Sequence, residues 1–192
     1  LYFQIEMVNK ELNNAVTRKM KINIDTITRA SKELIGNIIR TPTIRSQHLS
    51  SEINGEVFLK LENLQYTSSF KVRGAYTSIT RLKEEQKKVG VIAMSAGNHA
   101  QAVAWWAKKE RVNATIVMPE HAPLFKVMKT KSLGADVILR GRTLNESQTY
   151  VSELVNDKKL TLIHPYDDSN VVIGQGTLGL EFMADIKDLD LL

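Results

Sequence analysis

The 192-residue sequence contains no cysteine. This absence excludes disulfide bonds, a cysteine nucleophile and zinc sites built on thiolates, and it fits a reducing cytoplasm, where we expect the protein. The sequence also lacks any apolar run of about 18 residues, the length that a membrane-spanning helix requires. We therefore expect no membrane partner, and no pattern in the sequence predicts a metal site.

The positive charge of the chain is small and dispersed. Lysine and arginine number 26 against 21 acidic residues, which gives a net charge of +5. Basic pairs such as Lys87-Lys88 and Lys108-Lys109 stand apart from one another, and no basic block alternates with aromatic residues. Because a nucleic-acid-binding surface concentrates its positive charge, we expect no nucleic-acid partner.

Residues 1–22 are predicted to lie outside the folded core. The first four residues, Leu1-Tyr2-Phe3-Gln4, look like the remnant of a protease-cleavable tag. The residues that follow, up to 22, are polar without a clear period, which is typical of a loose N-terminal arm.

Short apolar runs alternate with longer helical segments over most of the chain. The runs are expected to be strands because they are rich in β-branched residues and nearly free of alternation, as in a parallel sheet covered on both faces. The predicted strands are Val57–Leu61, Val91–Met94, Ala114–Met118, Ala135–Leu139 and Leu160–His164. The predicted helices between and after them are 71–84, 98–111, 123–133, 143–156 and 174–185. This order predicts an α/β fold of three layers, with ligands at the carboxyl ends of the strands.

One lysine stands among small and apolar neighbours in the stretch SSFKVRGA. Lys71 begins the helix after the first predicted strand, where burial and the positive end of the helix dipole disfavour an ammonium group and lower its pKa. An uncharged amine is what a lysine needs to form an imine. The alternative is that Lys71 only extends along the surface into solvent.

A tight turn of small residues follows the strand Val91–Met94 in the stretch SAGNHAQA. Ser95, Ala96 and Gly97 leave room for backbone N–H groups to face an anion such as a carboxylate, while Asn98 and His99 open the next helix. The alternatives are a capped helix that binds nothing and a structural role for His99.

The glycines of GQGTLGLE, starting at Gly174, do not form a dinucleotide-binding motif. No strand directly precedes them, and no acidic residue follows at the distance that such a motif requires. We expect them to allow close packing of a helix against the sheet.

Together, SSFKVRGA, SAGNHAQ and GQGTLGLE resemble threonine dehydratases, which are fold-type II pyridoxal-phosphate enzymes of the tryptophan synthase β-like kind. The similarity runs from about Ile24 to Leu192. It implies that Lys71 binds pyridoxal 5'-phosphate as a covalent imine and that Phe70 lies against the ring. It further implies that Asn98 bonds the ring hydroxyl and that Ser95, Ala96, Gly97, Asn98 and His99 receive the substrate carboxylate. The implied reaction converts L-threonine to 2-oxobutanoate, or L-serine to pyruvate, and releases ammonia.

The resemblance also implies a division into domains. Residues 57–157 would form the complete small domain, while 23–56 and 158–192 would form part of the large cofactor domain. The glycine-rich phosphate loop of the family would follow Leu192, so we expect this chain to be an N-terminal fragment that binds the cofactor weakly and has little or no activity. An incomplete large domain would expose apolar surface and favour a homo-oligomer.

The same motifs leave three alternatives to a dehydratase: a serine racemase, a β-replacement enzyme and a non-catalytic domain. Serine racemases carry a second serine where this chain has Ala96, which has no proton to give. Cysteine synthases, which catalyse β-replacement, carry a TSGNTG-like loop, from which His99 and Ala100 depart. A non-catalytic domain on this scaffold is the third alternative, and the retained Lys71 and Asn98 argue against it.

Overall fold

Four parallel strands form the central sheet of residues 22–191, the part of the chain that this computed structural model describes. The predicted tag remnant and arm, apart from Ile22, lie outside the described residues. The helices are α1 (Ile24–Leu34), α2 (Gln47–Ile53), α3 (Lys71–Thr80), α4 (Glu84–Val89), α5 (Asn98–Lys109), α6 (Leu124–Ser132), α7 (Leu144–Lys158) and α8 (Ser169–Asp185). The strands are β1 (Thr43–Arg45), β2 (Phe58–Lys60), β3 (Val91–Met94), β4 (Ala114–Met118), β5 (Asp136–Leu139) and β6 (Thr161–Leu162), and a short 3-10 helix covers Glu62–Leu64.

The central sheet has the strand order β5-β4-β3-β6, and every pair in it is parallel. The residues of its inner strands β3 and β4 are mostly buried because helices cover both faces. One core cluster joins Val91 and Ala93 of β3 to side chains of α3, α5 and α8. A second cluster joins Ile92 of β3 to Val151 of α7. The structure therefore has the three layers of the predicted α/β fold.

The first predicted strand is not part of this sheet. Val57–Leu61 was expected to join the parallel strands, but β2 covers Phe58–Lys60 and pairs antiparallel with β1 in a separate two-stranded sheet. Its side chains are half-buried or exposed, and Lys60 forms ion pairs. A strand that is partly exposed to solvent and carries a lysine in ion pairs is typical of a hairpin. A strand inside a parallel sheet that helices cover on both faces is mostly apolar.

Among the described residues, strand β6 lies at the edge of the central sheet, where it pairs with β3. It is shorter than the predicted run Leu160–His164, since pairing covers only Thr161–Leu162. The division of the chain at 57 and 157 into a small and a partial large domain stays a prediction.

Helices α3 and α8 approach each other closely through two glycines. A Cβ atom on Gly174 would lie 2.6 Å from the Arg73 carbonyl oxygen, and one on Gly74 would lie 2.8 Å from the Val171 carbonyl oxygen. The prediction that the glycines of GQGTLGLE permit close packing is right for Gly174, but its partner is helix α3 rather than the sheet. Gly176 makes a similar contact with Ile27 of α1.

Candidate functional site

Lys71 is the first residue of α3, and its amine lies half-buried at the exit of strand β6. The Nζ atom donates a hydrogen bond of 2.8 Å to the carbonyl oxygen of Pro165 and lies 5.3 Å from the centroid of the Phe70 ring. Burial lowers the pKa of Lys71 below its ordinary value. Within residues 22–191 no carboxylate pairs with this amine. The amine is therefore more easily deprotonated than a surface lysine.

The helix that begins with Lys71 has no side-chain cap. Its N-cap residue is Phe70, which makes no capping hydrogen bond and whose side chain is 38% exposed. The Lys71 backbone N–H donates only a long bond of 3.4 Å to Ser69 Oγ. The Arg73 N–H of this turn donates to the Phe70 carbonyl oxygen, and the Gly74 N–H donates to Gln175 Oε1 of α8. The helix dipole makes this end of the helix locally positive, which adds to the effect of burial on the amine.

The turn Ser95–Gly97 follows strand β3 and leads into α5. The Ser95 N–H donates to Val117 of the neighbouring strand, and the Gly97 N–H donates 3.1 Å to Ser95 Oγ. The space around Gly97 is open, since an added Cβ atom would meet only Ser95 Oγ, at 3.9 Å. Ala96 packs against the core, and Asn98 is exposed at the start of α5. A ligand can therefore approach the backbone of this turn.

His99 lies buried behind that turn and is neutral. Its Nε2 atom is 2.9 Å from the carbonyl oxygen of Ile163, so Nε2 carries the hydrogen, and Nδ1 has no partner. Burial lowers the pKa of His99 to about 4, against the opposing effect of the Ile163 bond, and the charge of Lys71 lowers it further. His99 cannot serve as a cation at neutral pH, but its Nδ1 can accept a hydrogen bond.

The structure brings the amine of Lys71 and the turn before α5 to the same end of the sheet. His99 bonds Ile163 and Lys71 bonds Pro165, so both side chains meet the short segment that leaves β6. Between these two contacts stands His164, whose Nδ1 accepts hydrogen bonds from the N–H groups of Tyr166 and Asp167. The sequence alone did not reveal the places of His164 and Pro165 in this site, although they stand at the end of the predicted strand Leu160–His164, where ligands were expected.

A buried ion-pair network lies on the opposite side of the first turn of α3. Arg73 has no exposed surface, and its guanidinium bonds both carboxylate oxygens of Glu62 and both of Glu181, at 2.8–2.9 Å. Burial opposes the charge of Arg73, but these bonds outweigh burial and raise its pKa above the ordinary value. The sequence did not indicate these two partners, which lie far from Arg73 or in a different element.

The network continues towards the hairpin of β1 and β2. Lys60 pairs with Glu181 and with Asp185, at 3.0 Å each, and donates to the Thr41 carbonyl oxygen. Burial raises the pKa of Glu181, but the bonds from Arg73 and Lys60 lower it more strongly. Each buried charge thus has a partner of opposite sign, which is the condition for burying charges at acceptable cost.

The chemistry of Lys71 and its surroundings fits the attachment of an aldehyde cofactor. Imine formation requires an uncharged, accessible amine, and Lys71 combines a lowered pKa with partial exposure. The adjoining Phe70 ring provides an apolar surface, and the open backbone at Gly97 leaves room for a small ligand. Among residues 22–191, no cluster of three acidic or histidine side chains is placed to bind a metal ion, and no helix is long and apolar enough to cross a membrane.

Comparisons with known proteins agree with this arrangement. Over 170 residues, 88% of this chain and 49% of the relative, the sequence is 51% identical to the catabolic L-threonine dehydratase TdcB of Staphylococcus aureus strain USA300. The serine racemase of Dictyostelium discoideum superposes with a TM-score of 0.81 at 36% identity, over 88% of this chain and 55% of that chain. The processed form of threonine deaminase isoform 2 from Solanum lycopersicum superposes with a TM-score of 0.78 at 35% identity, over 91% of this chain and 50% of that chain.

The chain spans about half the length of these relatives. The family model described as "Pyridoxal-phosphate dependent enzyme" matches residues 34–192, which includes every strand of the central sheet, the Lys71 helix and the turn at Ser95–Gly97. This chain belongs to the pyridoxal-phosphate dependent enzyme family.

Proposed function

We propose that this protein converts L-threonine, or L-serine, to a 2-oxo acid and ammonia, with no net change in water, in a reaction that depends on pyridoxal 5'-phosphate. The observation that supports this most strongly is the half-buried amine of Lys71, with its lowered pKa, at the carboxyl end of β6. The 51% identity to a threonine dehydratase supports the same reaction. The products are 2-oxobutanoate from threonine and pyruvate from serine, each with one ammonia.

Lys71 is proposed to attach the cofactor and then to act as the base of the reaction. When bound, the cofactor withdraws electrons from the α-carbon of the amino acid. The Lys71 amine, whose pKa is lowered by burial, is proposed to accept the α-proton, and the β-hydroxyl group leaves as water. Addition of water to the resulting enamine then releases ammonia and the 2-oxo acid, so that one water leaves and one enters.

The residues around the turn are proposed to position the reactants. From Ser95 to His99, the N–H groups of Ser95 and Gly97 already donate within the chain, and the remaining N–H groups lie at the positive end of α5, which suits a carboxylate. The exposed amide of Asn98 is proposed to bond the ring hydroxyl of the cofactor, and Phe70 to lie against its ring. Neutral His99 adds no positive charge, so in this proposal backbone N–H groups rather than an imidazolium hold the carboxylate.

Ala96 favours dehydration over racemisation. Inversion at the α-carbon requires an acid on the face of the cofactor opposite the lysine, and a methyl group supplies no proton. The serine racemase likeness shows the shared fold, while the side chain at position 96 bears on the outcome of the reaction.

A homo-oligomer in the cytoplasm completes the proposal. Exposed apolar side chains on α1 and α8, including Ile24 at 58% and Met183 at 51% exposure, offer surface for association. A chain without cysteine folds without disulfide bonds, as a reducing compartment requires. Size-exclusion chromatography with light scattering tests the oligomer, and a monomer at all concentrations would contradict it.

The reaction is tested by incubating the protein with pyridoxal 5'-phosphate and L-threonine or L-serine, using this chain and the longest form that its gene encodes. We expect 2-oxo acid and ammonia in equal amounts from the longer form, little or none from this chain, and neither product from Lys71→Ala in the longer form. Equal product from wild type and Lys71→Ala would overturn the assignment of Lys71. Formation of D-serine in place of pyruvate would favour a racemase.

A further inference from the structure

A buried ion-pair network holds the first turn of α3, whose N-cap residue provides no side-chain capping bond. We call this network the support of the turn. Phe70 makes no capping bond, and the Ser69 hydroxyl accepts only a long one from the Lys71 N–H. Gln175 Oε1 of α8 accepts a hydrogen bond from the Gly74 N–H. In the same turn, Arg73 is completely buried and bonds Glu62 on one side and Glu181 on the other. Such two-sided pairing fixes a guanidinium in both position and orientation, since each carboxylate engages two N–H groups.

The contacts of α3 with α8 show what this support fixes. The two helices run antiparallel, with Arg73 beside Thr177 and Glu181 at one end and Ser78 beside Asp168 at the other. The glycine contact at Gly174 lies between these ends. The segment that accepts the Lys71 hydrogen bond, at Pro165, leads directly into α8. The position of α3 along α8 therefore sets the depth of the Lys71 amine against Pro165.

We infer that Arg73 is a positioning residue for Lys71: held by Glu62 and Glu181, it fixes the first turn of α3 and so keeps the Lys71 amine against the Pro165 carbonyl. Arg73 itself bonds only the two carboxylates and Thr177, so it acts through the helix. The inference rests on the proposed role of Lys71 as the reactive amine. It adds that the reactivity of this amine depends on an ion pair on the far side of the helix.

The test measures the Lys71 amine directly, without cofactor. Competitive acetylation at a series of pH values, read by mass spectrometry of the Lys71 peptide, gives the pH profile of this amine. The exposed Lys88 in the same sample is the internal standard. The basic groups nearest to Lys71, His99 and His164, remain unchanged in every variant.

Two variants loosen the support in different ways. Glu181→Gln keeps the volume and one acceptor oxygen but removes a charge, and Arg73→Lys keeps the charge but cannot bond both carboxylates in pairs. We expect both to fold, by circular dichroism, and to move the Lys71 profile to higher pH, towards that of Lys88. Reactivity below neutral pH falls about tenfold for each unit of such a shift.

A control separates positioning from general loss of stability. Val151→Ala opens a cavity on the opposite face of the sheet, in the α7 cluster, and we expect it to lower stability with an unchanged Lys71 profile. The inference is overturned if the Lys71 profile of folded Glu181→Gln and Arg73→Lys matches wild type, or if Val151→Ala shifts it equally. A wild-type Lys71 that labels like Lys88 would instead contradict the proposed function itself.

Discussion

The two faces of the central sheet differ in the kinds of side chain that are buried against them. On the face covered by α7, the core cluster consists of Ile92, Val117, Val151 and Leu154. On the face covered by α3, α5 and α8, apolar side chains share the interior with fully buried polar groups such as Arg73 and His99. Burying such groups is unfavourable unless they are bonded. The charged and imidazole side chains around the site are thus buried on this second face, the polar face. On the face covered by α7, the apolar face, the buried cluster is apolar, and Ser147 is a buried hydroxyl group there.

The largest expected change in the free energy of unfolding comes from replacing Arg73 on the polar face. Arg73→Met leaves the carboxylates of Glu62 and Glu181, whose side chains are 10% and 16% exposed, without their main partner. Removal of one member of a buried ion pair costs about 3–5 kcal/mol in the free energy of unfolding. Urea denaturation measures this cost. A loss below about 1 kcal/mol would mean that the buried network contributes no more than a surface pair.

Lowering the pH should reduce the free energy of unfolding because His99, on the polar face, resists protonation in the folded chain. Its pKa is about 4 in the folded chain, below the ordinary 6.5, because burial disfavours the imidazolium. Between these two pH values the unfolded chain binds a proton that the folded chain does not, so stability falls as pH falls through this window. The loss amounts to at most about 3 kcal/mol.

Urea denaturation of wild type and His99→Gln from pH 7 to pH 4 tests this linkage. We expect a shallower pH dependence in the variant, which has no imidazole to protonate. Parallel pH profiles of the two proteins would show that His99 is not the group responsible.

A cavity in the cluster on the apolar face should lower the free energy of unfolding by an amount that does not depend on pH. Val151 has no exposed surface and packs in the α7 cluster. We expect Val151→Ala to lower the free energy of unfolding by about 2 kcal/mol at every pH, since no titrating group is involved. A pH-dependent loss would show that the two faces are less independent than the comparison implies.

The smallest expected effect comes from an exposed ion pair outside both faces. Arg45 and Glu56 join across 3.0 Å with side chains that are 46% and 70% exposed. Glu56→Gln should change the free energy of unfolding by less than about 1 kcal/mol, because water already solvates both charges. A larger loss in urea denaturation would mean that burial is not what distinguishes the Arg73 network.

The parts of the fold that could be predicted from the sequence are those with local signals. Apolar runs indicated β3, β4 and β5, and the small residues after β3 indicated the turn before α5. Lys71 stood out because its immediate neighbours are small or apolar. The hairpin strand β2 was misassigned, since a short run of residues does not reveal which strand it will pair with.

The contacts that complete the site connect residues far apart in the chain. Arg73 meets Glu181 across 108 positions, and Lys71 meets Pro165 across 94. No local pattern specifies such pairs, because they depend on how α8 crosses α3. The unpaired Nδ1 of His99 was equally hidden, since the tautomer follows from the Ile163 carbonyl that the fold places beside it.

The most direct test of the account asks which amine binds the cofactor. The protein is incubated with pyridoxal 5'-phosphate, reduced with borohydride, digested and analysed by mass spectrometry, with Lys71→Arg as the matched control. The account predicts the phosphopyridoxyl group on the peptide that contains Lys71, and no such peptide from the variant. Modification spread over exposed lysines, with Lys71 unmodified, would contradict it.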